Sequence, residues 1–123
     1  MRSSRTRPPR PASRRRLGPE AERRVRRHYR LRGYRILAAN AWAGGYELDL
    51  VVRRGRTLTI CEVKARTGSD YGDPLEAVSP EKARRVRQAA ETWLAQRPEL
   101  AGLEVRLEAV AVSGRRIVRA PFD

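Results

Sequence analysis

Sulfur is nearly absent from this chain, which has one cysteine, Cys61, and one methionine, at its first position. A single cysteine excludes an internal disulfide. One cysteine and one histidine also cannot supply the four ligands of a structural zinc site. No apolar run approaches the roughly 20 residues that span a bilayer. No apolar segment follows the basic N-terminus, as a secretory signal requires. The prolines at 8, 9 and 11 oppose the amphipathic helix of an organelle transit peptide. These absences lead us to expect a cytoplasmic protein that does not engage a membrane. Lysine is also scarce. The 28 basic residues are 26 Arg and only two Lys, Lys64 and Lys82. Arginine is a rigid, permanently charged fork, whereas lysine is a compact point charge on a flexible stem. The two lysines therefore mark positions where Arg does not serve.

Cationic charge, by contrast, is abundant. The net charge is +14 over 123 residues, a length that suits one domain with a core of two or three layers. A small domain this basic commonly meets nucleic acid or an anionic membrane. The chain has no long helix with a wide apolar face, which favours nucleic acid. Residues 1–16 hold seven Arg and no acid. Their Arg, Pro and Ser composition predicts a disordered tail, either a phosphate-binding arm or a passive extension, ahead of an ordered domain over 17–123.

Residues 19–32 read as a helix, with Pro19 at its first position, Glu20 and Glu22 in its first turn, and Gly33 beyond its end. Strands are predicted over 34–41, 46–53 and 56–65, with turns at 42–45 and 54–55. Residues 66–78 read as a Gly/Asp/Pro loop. Ser79 and Pro80 open a second helix that runs to about Gln96, with Ala83, Val86, Ala89, Ala90, Trp93 and Leu94 toward the core. Strands over 103–112 and 116–119 complete the chain. The order is helix-strand-strand-strand-helix-strand-strand. It predicts an α/β fold of three layers, α/β/α, with a central mixed sheet of four to five strands.

Strand side chains alternate between faces. In YELDLVV, Glu47 and Asp49 point one way while Leu48, Leu50 and Val52 point the other. In LTICEVKAR, Glu62 and Lys64 share a face with Ile60, opposite Cys61 and Val63. One face of this hairpin is expected to be apolar. The other gathers three carboxylates and an amine. Carboxylates side by side repel one another and call for a cation. A hard divalent ion such as Mg²⁺ (or Mn²⁺) meets that need. It can acidify a bound water and polarise a phosphoryl oxygen, while a neighbouring lysine stabilises the developing charge.

The segments AERRVRRHYRLRGYRILAAN, YELDLV, CEVKAR, GDPLEAVSPEK and RQAAETWL follow one another in a specific order and spacing. In these segments residues 17–122 resemble the uncharacterised bacterial YraN-like family, whose fold is similar to the PD-(D/E)XK, or restriction-endonuclease-like, nucleases. Ala21, Val25 and Tyr46 depart from the family's more frequent Gly, Ala and Gly. The resemblance implies a Mg²⁺- or Mn²⁺-dependent endonuclease acting on DNA, with repair or recombination intermediates as a candidate substrate. It also implies Asp49 and Glu62 as metal ligands, Lys64 as the catalytic lysine, Glu47 as a supporting acid and Glu22 as an outlying acid. Glu22 equally suits a simple helix-dipole acid. Arg66 is a candidate contact to phosphate or to the carboxylates, or equally a structural salt bridge, and Lys82, Arg85 and Arg87 are candidate phosphate contacts or solvated surface charges. The alternative reading is a nucleic-acid-binding module of the same fold with little or no catalytic activity.

Overall fold

Two prolines and two turn glycines set the frame of this chain. A computed structural model describes residues 18–66 and 73–122. The arm-or-extension reading of residues 1–16, and residues 67–72 of the expected 66–78 loop, lie outside that span. Helix α1, Pro19–Leu31, starts on a proline whose missing N–H costs nothing there, and it buries Val25 and Tyr29. Strand β1, Arg35–Ala43, turns through Gly44 and Gly45 into β2, Tyr46–Arg54, which returns as β3, Thr57–Ala65. Gly44 has a φ of 60°, and a Cβ on it would lie 3.0 Å from the Thr92 hydroxyl. This turn therefore needs glycine both for its backbone and for its approach to the second helix.

A short 3₁₀ turn, Pro74–Ala77, precedes helix α2, Pro80–Ala95. Ser79 caps α2, its Oγ accepting from the Lys82 N–H at 3.1 Å. After a second 3₁₀ turn, Pro98–Leu100, come β4, Glu104–Ser113, and β5, Arg116–Phe122. The last strand runs three residues past its expected end. Pro121 is tolerated in it because β5 lies at the edge of the sheet.

The five strands form one sheet in the order β1-β2-β3-β4-β5. All neighbours are antiparallel except β3 and β4, which run parallel with α2 in their crossover. The helices cover opposite faces. Val86, Ala89, Ala90 and Trp93 of α2 pack on Val51, Leu58 and Ile60. Val25 and Tyr29 of α1 pack on Leu50, Val52, Cys61 and Val110. This is the expected α/β/α layering, and it corrects the reading of the hairpin. Neither face of β2 and β3 is free, because each helix buries one, so both strands carry near-continuous apolar residues. Burial pushes the Cys61 thiol up to about 12, so it stays neutral in the core.

The α1 side also holds a polar knot. Arg119 donates twice to Glu108, at 3.1 and 3.0 Å, and the Tyr29 hydroxyl donates to the same carboxylate at 2.7 Å. Burial, then the cations of Arg32 and Arg119, hold the adjacent His28 below the usual imidazole range. Among the described residues, no helix is long and apolar enough to cross a membrane.

Candidate active site

The β2–β3 ladder ends where the acids begin. Its register runs from Arg54↔Thr57 to Leu50↔Cys61. Beyond that point a side chain takes over from the backbone, as Asp49 Oδ2 accepts from the Val63 N–H at 2.8 Å. Val63 lies between Glu62 and Lys64, so this bond sets Asp49 against the segment that carries both. Alternation also breaks here. Leu48 packs with the α2 cluster, whereas Leu50 packs with the α1 cluster. Two residues apart on a regular strand they would share a face.

A backbone irregularity lies opposite, on β1. Asn40 stands between Ala39, opposite Leu50, and Ala41, opposite Leu48, and so lies across from Asp49. Its φ is 52°, the one left-handed non-glycine residue among those described. Asparagine tolerates that conformation better than most residues. The sequence reading assigned Asn40 no role. Its available signal was an Asn, a turn-forming residue, inside an apolar strand.

Glu62 is 4% exposed, and Lys82 Nζ approaches its Oε2 to 3.0 Å. Lys82 reaches it because Lys82, Val86, Ala89 and Trp93 fall at i, i+4, i+7 and i+11, the stripe of α2 that faces the sheet. The sequence reading grouped Lys82 with Arg85 and Arg87 as a phosphate contact. The helical stripe separates them. Arg85 sits on the exposed side with Glu81 at 3.0 Å. Arg87 lines an open groove with Glu91, Leu94, Val105 and Phe122. Both lysines of the chain thus belong to the neighbourhood of Glu62. Lys64 is exposed and makes no ion pair among the described residues.

The remaining candidates are more dispersed. Glu47 is buried, 4% exposed, and faces Trp42 across the β1–β2 pair. Arg66 donates to the Asp73 carbonyl at 3.2 Å, while its own N–H donates to Val112 at 2.8 Å. It thereby ties the chain beyond β3 to the segment that enters α2. Glu22 is half-buried on the first turn of α1, next to Ala21, which packs with Val63 against the α1-side cluster. No hydrogen bond or ion pair among the described residues joins Glu22 to Asp49, Glu62 or Lys64.

Glu62 and Lys64 stand beside Ala109 and Ala111 of β4 in the parallel register. The site therefore lies at the carboxyl end of the parallel pair, where α2 begins, and open α/β sheets commonly bind ligands in that position. Among the described residues, no three His, Cys, Asp or Glu side chains gather as a metal cage. Asp49 and Glu62 offer two carboxylates. That donor set suits Mg²⁺ or Mn²⁺, which take one or two carboxylates and complete their shell with water and phosphate, and it does not suit a closed zinc site.

Comparison with known proteins adds lineage. Residues 21–112, which include every candidate above, match the uncharacterised protein family UPF0102. The chain is similar to a UPF0102 protein of Acidothermus cellulolyticus, with 46% identity over 80 residues, 65% of this chain and 61% of that protein. It resembles one of Methylorubrum extorquens at 48% over 86 residues, 70% of this chain and 66% of that protein. A relative in Parvibaculum lavamentivorans is 42% identical over 108 residues, 88% of this chain and 80% of that protein. The matched stretch thus covers slightly less than two thirds of the first two relatives.

Proposed function

The chain belongs to the uncharacterised protein family UPF0102, the YraN-like family its motifs resemble, and on that premise we propose that it is a Mg²⁺- or Mn²⁺-dependent endonuclease acting on DNA in the cytoplasm. One observation carries the proposal. The Asp49 carboxylate accepts from the Val63 amide between Glu62 and Lys64, which sets Asp49 against the segment of the adjacent strand that carries both, at the carboxyl end of the parallel pair. In this reading Asp49 and Glu62 hold the ion. When bound, the ion supplies an acidified water and positive charge for the scissile phosphate. Lys64, exposed beside the small Ala111, orients the attacking water and stabilises the charge that develops on the phosphoryl oxygens. Arg66 and the net charge of +14 favour a polyanionic substrate.

The test is cleavage of labelled single-stranded, duplex and branched DNA with and without Mg²⁺ or Mn²⁺. Asp49→Ala, Glu62→Ala and Lys64→Ala should each lower the rate by about 10²-fold or more. Metal-dependent cleavage that survives all three changes would sink the mechanism. A second reading, a binding module with little or no turnover, draws on the ion pair that already occupies Glu62. Salt-sensitive DNA binding without cleavage under any metal would favour it.

A further inference from the structure

We infer that Lys82 is a displaceable counter-ion of the metal site, so that its ammonium and a divalent metal exclude each other from the Glu62 carboxylate. The inference rests on the metal reading of Asp49 and Glu62. It goes beyond that reading by assigning the site a resident cation from the chain itself.

A carboxylate as enclosed as Glu62, 4% exposed, is costly to bury unless a cation accompanies it. Lys82 supplies that cation at 3.0 Å. Its location is otherwise unfavourable. Ser79 caps α2 on the Lys82 N–H, which places Lys82 in the first helical turn. There the helix dipole favours acids and opposes cations. Lys82 also begins the stripe that continues as Val86, Ala89 and Trp93, so its stem runs along the buried face of α2. Neither the helix nor its apolar stripe accounts for a charge at this position, whereas Glu62 does.

The choice of lysine points to a reversible contact. Twenty-six of the 28 basic residues are Arg, which would grip a carboxylate with a two-pronged fork. Lysine instead makes a point contact on a flexible stem. Its side chain is 30% exposed here, so it has a route outward that Glu62 lacks. A metal shared between Asp49 and Glu62 would bring two positive charges to the oxygens Lys82 now neutralises, and ammonium and metal repel. The site thus holds a monovalent cation of its own until a divalent one replaces it.

The chain's composition makes this measurable without activity. With only two lysines, ¹⁵N-lysine labelling of the full chain leaves two side-chain ammonium signals. Adding Mg²⁺ should shift or broaden the signal that Lys82→Met removes, and leave it unmoved in Glu62→Gln. Mn²⁺ titration by calorimetry gives the second readout. Lys82→Met should bind Mn²⁺ at least about tenfold more tightly than wild type, and Lys82→Arg should not gain affinity. Should Lys82→Met fail to fold, Lys82→Gln takes its place. Equal or weaker Mn²⁺ affinity in the neutral variant, with wild type still binding, overturns the competition alone. Absence of Mn²⁺ binding in wild type and in the neutral Lys82 variant overturns the competition together with the metal reading. Mn²⁺ binding with no shift of the Lys82 signal also overturns the competition.

Discussion

Asn40 marks the backbone irregularity beside the site. It occupies left-handed backbone space at φ 52°, directly across from Asp49. A strand residue in that conformation interrupts the pleat, and the interruption coincides with the separation of Leu48 from Leu50 onto opposite faces. The Asp49 carboxylate then caps Val63 in place of a ladder bond. If this kink is built into the fold, a β-branched residue should resist it and glycine should accept it. We expect Asn40→Val to cost about 1–3 kcal/mol in urea unfolding, and Asn40→Gly to stay within about 0.5 kcal/mol of wild type. Equal stability of Val and Gly would show that the kink is not imposed at this position.

At the scale of elements, α1 is held to the sheet by more than apolar contact. Tyr29 is fully buried, yet its hydroxyl reaches Glu108 on β4, and Arg119 on β5 grips the same carboxylate. The Arg119 guanidinium also lies 4.7 Å over the Tyr29 ring. One carboxylate therefore ties a helix to two strands. The pieces differ in consequence when removed. Tyr29→Phe keeps the ring and loses one hydrogen bond, about 0.5–1.5 kcal/mol. Glu108→Gln leaves Arg119 without its counter-charge in a half-buried setting, and should cost more, about 1–3 kcal/mol. Thermal unfolding of the two variants checks that order, and the reverse order would show that the tyrosine, not the ion pair, anchors the helix.

At the scale of the molecule, charge dominates. Of the net +14, seven positive charges belong to residues 1–16. Each phosphate contact contributes roughly 0.9 to the slope of log affinity against log salt. Removing residues 1–16 should therefore flatten that slope by up to about six for duplex DNA, if all seven arginines meet phosphate. An unchanged slope would identify the tail as a passenger. Within the described residues, α1 directs Arg23, Arg27 and Arg30 to its exposed side, spaced i, i+4, i+7. Like charges at that spacing weaken a helix slightly, and phosphate neutralises them.

The local rules were written into the sequence. Pro19, Ser79 and Pro80 start the helices, the glycine pairs and the Arg-Gly step place the turns, and period-two and period-3.6 patterns separate strands from helices. Each depends only on a residue's own backbone preferences or on its near neighbours, so the element order and the α/β/α layering could be read before any contact was known. The acids and Lys64 were legible for the same reason, since two short strand motifs bring them to one hairpin. Tertiary structure decided what depends on partners distant in the chain. It covered both hairpin faces because each helix needed a surface on which to bury its stripe. It joined Tyr29, Glu108 and Arg119, the first and last of them 90 positions apart in sequence. It also turned Lys82 from an apparent surface cation into the partner of Glu62, because the helix stripe and the end of β3 meet only once α2 has folded onto the sheet.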